Sequence, residues 1–231
     1  MLCASRYFNN AKNLLLILPF YECIVLPRRP KNQQKSSVPS KASTIRIIGG
    51  QWRGRKLPVN NADGLRPTGD RIRETLFNWL MPYIHGAHIW DMFAGTGALG
   101  LEALSRGAHS ATFFELNTKN ASVLRENITQ LITTQTARSF TLDAIAWLQK
   151  DQLADHQEPI DIVFIDPPFE HNLWQETINA LDKHQQLANN ALIYIESKKD
   201  TAFITPISWE LIKDKHSGAV SSRLYQRVLT S

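Results

Sequence analysis

Asp166-Pro167-Pro168-Phe169 closes an apolar run that begins at Ile160. Proline lacks a backbone N–H and holds φ near about −65°, so it cannot continue a central strand. A simple reversal needs only Asn-Gly or Asp-Gly. The sequence instead builds a stiff corner carrying the Asp166 carboxylate, the Pro167 carbonyl and the Phe169 ring. Those groups suit an exocyclic base amine, a poor nucleophile because its lone pair is delocalised into the ring. Two acceptors bonding its hydrogens favour a pyramidal nitrogen and aim the lone pair at an electrophilic carbon. Prolines hold such acceptors in place, so little reorganisation is needed. Phe169 offers a face on which an extruded base can stack. The plain alternative is a strand-ending turn with a core phenylalanine.

A second constellation lies upstream. Asp91-Met92-Phe93-Ala94-Gly95-Thr96-Gly97-Ala98-Leu99-Gly100 sets Gly95, Gly97 and Gly100 in the GxGxxG spacing, between a strand and a helix. Glycines there allow a tight turn and let a ligand lie against bare backbone. Glu115 comes twenty residues after Gly95 and ends the next strand, where a carboxylate can accept from ribose hydroxyls. A dinucleotide would put a pyrophosphate at the helix N-terminus, crowding it against Asp91. S-adenosylmethionine carries an ammonium and a sulfonium, which a carboxylate favours. No second mononucleotide-binding half follows, so S-adenosylmethionine is the expected cofactor, lined by Asp91, Phe93, Gly95, Gly97, Glu115 and Asp143. Asp143 suits a hydrogen bond to the adenine amino group, with a cap on the helix starting at Ala144 as a close second.

The elements that must position these groups alternate. Strands are expected at 88–93, 110–115, 137–143, 160–166 and 191–197, with helices at 97–106, 117–131, 144–150 and about 172–183. Short apolar strands separated by amphipathic helices indicate a parallel sheet covered on both faces. Asp91, Glu115, Asp166 and Glu196 end four strands, and ligands bind outside the carboxyl ends in such sheets. The stretches 207–215 and 221–229 flank a turn near Gly218 and predict an antiparallel hairpin. Upstream, 44–59 predicts a hairpin about Gly49-Gly50. Thr68 is then a candidate cap for a helix bearing Ile72, Leu76, Trp79 and Leu80.

The chain has 231 residues with 43% hydrophobic and 20% charged content, which suits one globular α/β domain. Its net charge of +5 is uneven: +6 over residues 1–43, +4 over 44–75 and −5 over 76–231. A nucleic-acid footprint therefore belongs to the N-terminal third. Cys3 and Cys23, the only cysteines, allow neither a disulfide framework nor a four-ligand zinc site, and point to a reducing cytosol. His85 and His88 are too isolated to indicate a metal, and none is expected. Residues 14–26 are apolar but interrupted by Pro19 and Glu22, short of the ~20 residues a membrane span requires. Residues 1–43 are expected to be a basic, disordered tail or an over-long gene start; an anchor or RNA-binding arm is the alternative.

The stretches IRIIGGQWRGRKLPV, LRPTGDRIRETLFNWL, DMFAGTGALGLEALSRGA, VFIDPPF and RLYQR, between about Ile45 and Val228, resemble the RsmD family, bacterial 16S ribosomal RNA guanine-N2 methyltransferases. The arginine-rich opener and the RPT-DR-RE-LFN element carry more of this likeness than the glycine loop does. The resemblance implies a class I S-adenosylmethionine-dependent methyltransferase fold: a Rossmann-like, seven-stranded, mostly parallel sheet with a reversed final hairpin. It implies methyl transfer to one guanine N2 of 16S rRNA within the small ribosomal subunit, rather than naked rRNA. On the matching motifs, Asp166, Pro167 and Phe169 are the catalytic corner. Residues 44–83 are then an RNA-facing hairpin and helix, and 84–231 the catalytic domain, taken as a cytoplasmic monomer. Arg46, Trp52, Arg53, Arg55, Lys56, Arg66 and Arg71 are the RNA-binding candidates, with Arg73 in the same cluster. Arginines there supply phosphate affinity rather than sequence choice, though a hairpin's arginines can equally form a solvated face.

Three other readings compete. An adenine-N6 methyltransferase uses the same corner but usually carries a separate recognition domain. A nicotinamide oxidoreductase is opposed by Asp91 and the missing second half. A non-catalytic RNA-binding factor would not need an intact loop and corner.

Overall fold

The computed structural model describes residues 44–59, 69–131, 136–150 and 158–228. The expectations for residues 1–43, Arg66 and Thr68 lie outside them. Nine strands and five helices follow one another among the described residues. They are β1 (Thr44–Arg46), β2 (Lys56–Pro58), α1 (Asp70–Leu80), β3 (His88–Asp91), α2 (Ala98–Ser105), β4 (Ser110–Phe114) and α3 (Thr118–Leu131). Then come β5 (Ala137–Phe140), α4 (Ala144–Leu148), β6 (Ile160–Ile165), α5 (Trp174–Asp182), β7 (Leu187–Lys198), β8 (Trp209–Ser217) and β9 (Val220–Arg227).

The main sheet has seven strands in the order β5-β4-β3-β6-β7-β9-β8. The first five run parallel, and β9 lies antiparallel between β7 and β8. This is the doubly covered sheet with a reversed hairpin anticipated above. The apolar run of β6 shows why its residues are continuous rather than alternating. Ile162 and Phe164 pack on one face with α1, α2 and α3. Val163 and Ile165 pack on the other with α4 and α5. Successive side chains point to opposite faces and both faces are buried, so every position must be apolar. Each such residue contributes about 1.5–3 kcal/mol by leaving water.

β1 and β2 pair antiparallel, Thr44 opposite Pro58 and Arg46 opposite Lys56. Pairing continues through Ile47, whose N–H donates to Arg55 O at 2.9 Å, so the reversal spans more than Gly49-Gly50. Ile45, Ile47 and Leu57 join the same core as α1 and α2. α1 buries Arg73, Leu76, Phe77 and Leu80. Arg73 is 1% exposed, donates to Asp70 Oδ1 at 2.7 Å and to Arg46 O at 2.9 Å, and so is not a surface cation. α5 starts at Trp174, two residues later than expected. β7 starts early, at Leu187, because that residue pairs with Ile160 ahead of a register shift in which β7 carries the extra residues.

Candidate active site

The carboxyl ends of the parallel strands bring the predicted groups to one edge. Asp91 is the last residue of β3. Glu115 and Asp166 each follow the last residue of their strand. The two acids of the glycine loop hold it at its two ends. Glu115 Oε2 accepts from Gly95 N at 2.8 Å, and Asp91 Oδ2 accepts from Gly100 N at 3.0 Å. The three glycines divide their tasks. Gly95 has φ +55 and open space where a Cβ would stand, so its bare backbone can face a ligand. Gly97 has φ +92, and a Cβ there would come within 2.7 Å of Leu124. At Gly100 a Cβ would meet the Phe113 ring at 2.2 Å. These two therefore serve turn geometry and close helix–sheet packing.

Asp91 is 2% exposed. Burial pushes its carboxyl up to about 7; the Gly100 N–H opposes the shift, and the charges of Asp166 and Glu115 add to it. Burial likewise raises the Glu115 carboxyl, against the N–H groups of Asn117 and Gly95 and the Asn120 side chain. A cationic ligand offsets this strain, whereas a pyrophosphate deepens it. Glu115 Oε1 accepts from Asn117 N at 2.6 Å, so each oxygen has one backbone partner, and with the Asn120 side chain as third donor the carboxylate still keeps a lone pair for a ribose hydroxyl. Leu116, next in sequence and 68% exposed, adds an apolar surface that the sequence reading overlooked. Its signal was an apolar residue immediately past a strand-end acid. Phe93 packs partly buried against the α4–α5 side of the core. Asp143 caps α4, its Oδ1 accepting from Ile145 N at 2.9 Å and Ala146 N at 3.2 Å, which realises the structural alternative weighed for it. These residues fit an adenosine bearing positive charge.

At the corner, Pro167 is buried, Pro168 exposed, and Asp166 and Phe169 intermediate. His171 N donates to Pro168 O at 3.2 Å, and Asn172 takes φ 49, turning the chain into α5. The Phe169 ring stands 5.9 Å from that of Trp174, with Lys198 Nζ 5.9 Å from its centroid. Trp174 itself is buried and donates Nε1–H to Glu196 O at 2.7 Å, so it supports the corner from the core. The neighbouring network is buried too. The Tyr194 hydroxyl donates to Glu196 Oε2 at 2.9 Å and lies 3.1 Å from Ser222 Oγ. Burial holds the Tyr194 phenol well above its usual range, and the Glu196 charge adds to this.

Of the N-terminal candidates, Arg46, Arg53, Arg55, Lys56 and Arg71 are exposed. Arg46 reaches Asp70 at 3.7 Å. Trp52 is half-buried, its side chain packed on the core. What fixes this hairpin is Glu102, which the sequence reading missed. Wholly buried, it accepts from Ile48 N at 2.7 Å, Gly49 N at 2.8 Å and Arg106 Nε at 2.7 Å. Ser105 completes the clamp, donating Oγ–H to Gly49 O at 2.6 Å and accepting from Trp52 N at 3.0 Å. Asn127 Nδ2 donates to Thr96 O (2.9 Å) and Pro58 O (3.2 Å), tying the glycine loop to the end of β2. The arginine hairpin and the glycine loop therefore share one rigid support.

A family profile described as conserved hypothetical protein 95 matches residues 45–226. The Haemophilus influenzae protein named ribosomal RNA small subunit methyltransferase D is 48% identical over 194 residues, 84% of this chain and 99% of the relative. Its namesake from Escherichia coli strain K12 is 50% identical over 189 residues, 81% and 92%. The chain belongs to the small subunit methyltransferase D family. A solved structure described as a proposed methyltransferase of Escherichia coli superposes with TM-score 0.71 at 46% identity, covering 81% of this chain and all of that one. The family match spans β1 through β9, so the hairpin, the glycine loop and the corner all lie inside it. Among the described residues no helix is long and apolar enough to cross a membrane.

Proposed function

We propose that this enzyme transfers a methyl group from S-adenosylmethionine to the exocyclic N2 of one guanine in 16S rRNA of the small ribosomal subunit. The observation that carries the reading is the Asp166-Pro167-Pro168-Phe169 corner beside a charged glycine loop, in a chain about half identical to small subunit methyltransferases D. When bound, S-adenosylmethionine supplies an electrophilic methyl on a sulfonium. Asp91 lies where its carboxylate can meet positive charge, Glu115 where it can accept from ribose hydroxyls, and Gly95 leaves room for both. Asp143 has its Oδ2 for the adenine amino group while Oδ1 caps α4.

At the corner, Asp166 and the Pro167 carbonyl accept the two amine hydrogens, and Phe169 stacks on the extruded base. As the N–C bond forms, the methyl's bond to sulfur breaks and its electron pair stays on the departing neutral thioether; the nitrogen becomes cationic and gives a proton to Asp166 or water, so no strong base is needed. The exposed cations of the hairpin bind phosphate without reading sequence. Residues 44–83 are thus an RNA-facing extension clamped on a catalytic domain, 84–231. The enzyme acts as a monomer in the cytosol, where its subunit substrate is.

The reading is tested by incubating the protein with labelled S-adenosylmethionine and small subunits lacking their natural methylation. Naked rRNA and duplex DNA run in parallel. Label confined to the subunits is expected. Label in DNA, or cofactor binding without transfer to any substrate, overturns the reading.

A further inference from the structure

A groove of about 340 Å³ runs between α1 and the β8–β9 hairpin, outside the glycine loop and the corner. Arg71, Thr75 and Asn78 line it from the helix, and Lys215, Ser217 and Ser222 from the hairpin. Two cations with hydroxyl and amide groups between them form the donor set that grips a sugar-phosphate backbone. Lys215 belongs to the part of the chain whose net charge is −5, yet it joins none of the ion pairs formed among the described residues. Asp214 sits 3.9 Å from Arg223 and 4.0 Å from His216. Strand alternation turns Lys215 to the opposite face. There Lys215 Nζ donates to a neutral hydroxyl, Thr75 Oγ1, at 3.0 Å, while Thr75 gives its own proton to Arg71 O at 3.0 Å. The ammonium is aimed into the groove before any ligand arrives. Glu74, the acid on the rim, cannot face a phosphate but can accept from a ribose 2′-hydroxyl.

The groove also lies close to the corner along the sheet. Its Ser222 pairs with Glu196 across β9 and β7 and approaches the Tyr194 hydroxyl. Glu196 follows Ile195, the partner of Ile165, and Asp166 follows Ile165. Two strand spacings, about 10 Å, therefore separate Ser222 from Asp166 along the sheet. One nucleic-acid strand can occupy both places. We infer that the α1–β8–β9 groove seats the RNA backbone flanking the reacting nucleotide, with Lys215 as its anchoring cation. This deepens the proposed function and rests on it.

The test measures binding of the full-length protein to undermethylated small subunits and to deproteinised 16S rRNA across a salt series, with methyl transfer recorded alongside. Lys215→Ala is expected to weaken binding to both about tenfold. It should lower the salt slope by about one unit, as loss of one phosphate contact requires. The loss appears in KM for subunits and not in affinity for S-adenosylmethionine, and Lys215→Arg restores most of it. Lys215 is exposed, so the variants fold. Binding and salt slope equal to wild type would overturn the inference. So would a Lys215 dependence seen with subunits and absent with deproteinised RNA, which identifies a ribosomal-protein contact. If wild type binds RNA but transfers no methyl, the proposed function fails while the groove is still judged on binding.

Discussion

Replacing Asp91 by Asn should stabilise the cofactor-free protein while impairing cofactor binding. The Asp91 carboxyl is pushed from an ordinary 3.8 to about 7, first by burial and then by Asp166 and Glu115. Roughly three units at ~1.4 kcal/mol each set a ceiling of about 4 kcal/mol on the penalty for ionising it in the fold. Asparagine keeps an acceptor for Gly100 N but introduces two donors, which costs up to about 2 kcal/mol if they lack partners. The net gain is then about 2 kcal/mol, or roughly 4–8 °C in Tm for a chain of this size. Its pH dependence follows from the raised pKa. Between about pH 4 and 7 the folded state holds a proton that the unfolded state has released, so wild-type stability falls with rising pH and levels off above 7. The variant's advantage should be full at pH 8 and lost by pH 4, where Asp91 is neutral in the fold and the extra amide donors leave the variant up to about 2 kcal/mol less stable. Thermal unfolding across that range checks it, repeated with saturating S-adenosylmethionine, which should raise Tm far less in the variant. A lower Tm than wild type at pH 8, or an advantage independent of pH, would refute the reasoning about burial. An undiminished cofactor shift would refute the pairing of Asp91 with a cation.

Glu102→Ala leaves Ile48 N, Gly49 N and Arg106 without their shared acceptor and Arg73 without an ion-pair partner, and should cost about 3–5 kcal/mol in urea unfolding. Trypsin should then cut faster at Arg53 and Arg55, and unchanged cleavage would show that the clamp does not hold the hairpin. Asp143→Asn should keep the cap and stay within about 0.5 kcal/mol of wild type, since Asn and Asp cap equally well. If Asp143 also accepts from adenine, cofactor affinity falls about tenfold in a calorimetric titration, because an amide NH₂ then faces the amine. Unchanged affinity would leave Asp143 with the cap alone.

The alternation of apolar runs and amphipathic segments made the parallel sheet legible, because both faces of β3, β6 and β7 are buried and demand apolar residues in series. The corner was legible because prolines cannot belong to the strand they end. The buried charges were harder to see. Arg73 lies three residues before Leu76 and four before Phe77, on the apolar stripe of α1. Glu102 sits in a helix apolar all round. Each alone looks like a surface charge, and only its partners distant in sequence explain its burial: Arg46 O for Arg73, and Ile48 N and Gly49 N for Glu102, with the two charges 3.9 Å apart across α1 and α2. Arg73 was therefore misread as part of an RNA face. Gly50 marked a turn, but its φ of +77 also lets backbone approach Ser105, where a Cβ would come within 1.8 Å of the carbonyl oxygen. That contact is between residues 55 positions apart and leaves no local trace. The early start of β7 at Leu187 is likewise dictated by its partner in β6 rather than by its own polar sequence.

The most direct measurement compares wild type with Asp166→Ala on undermethylated small subunits, using labelled S-adenosylmethionine and nucleoside analysis of the digested rRNA. Label in N2-methylguanosine, abolished by the substitution while cofactor binding persists, is the predicted result. Label in N6-methyladenosine, or N2-methylguanosine formed equally well by Asp166→Ala, would contradict the account.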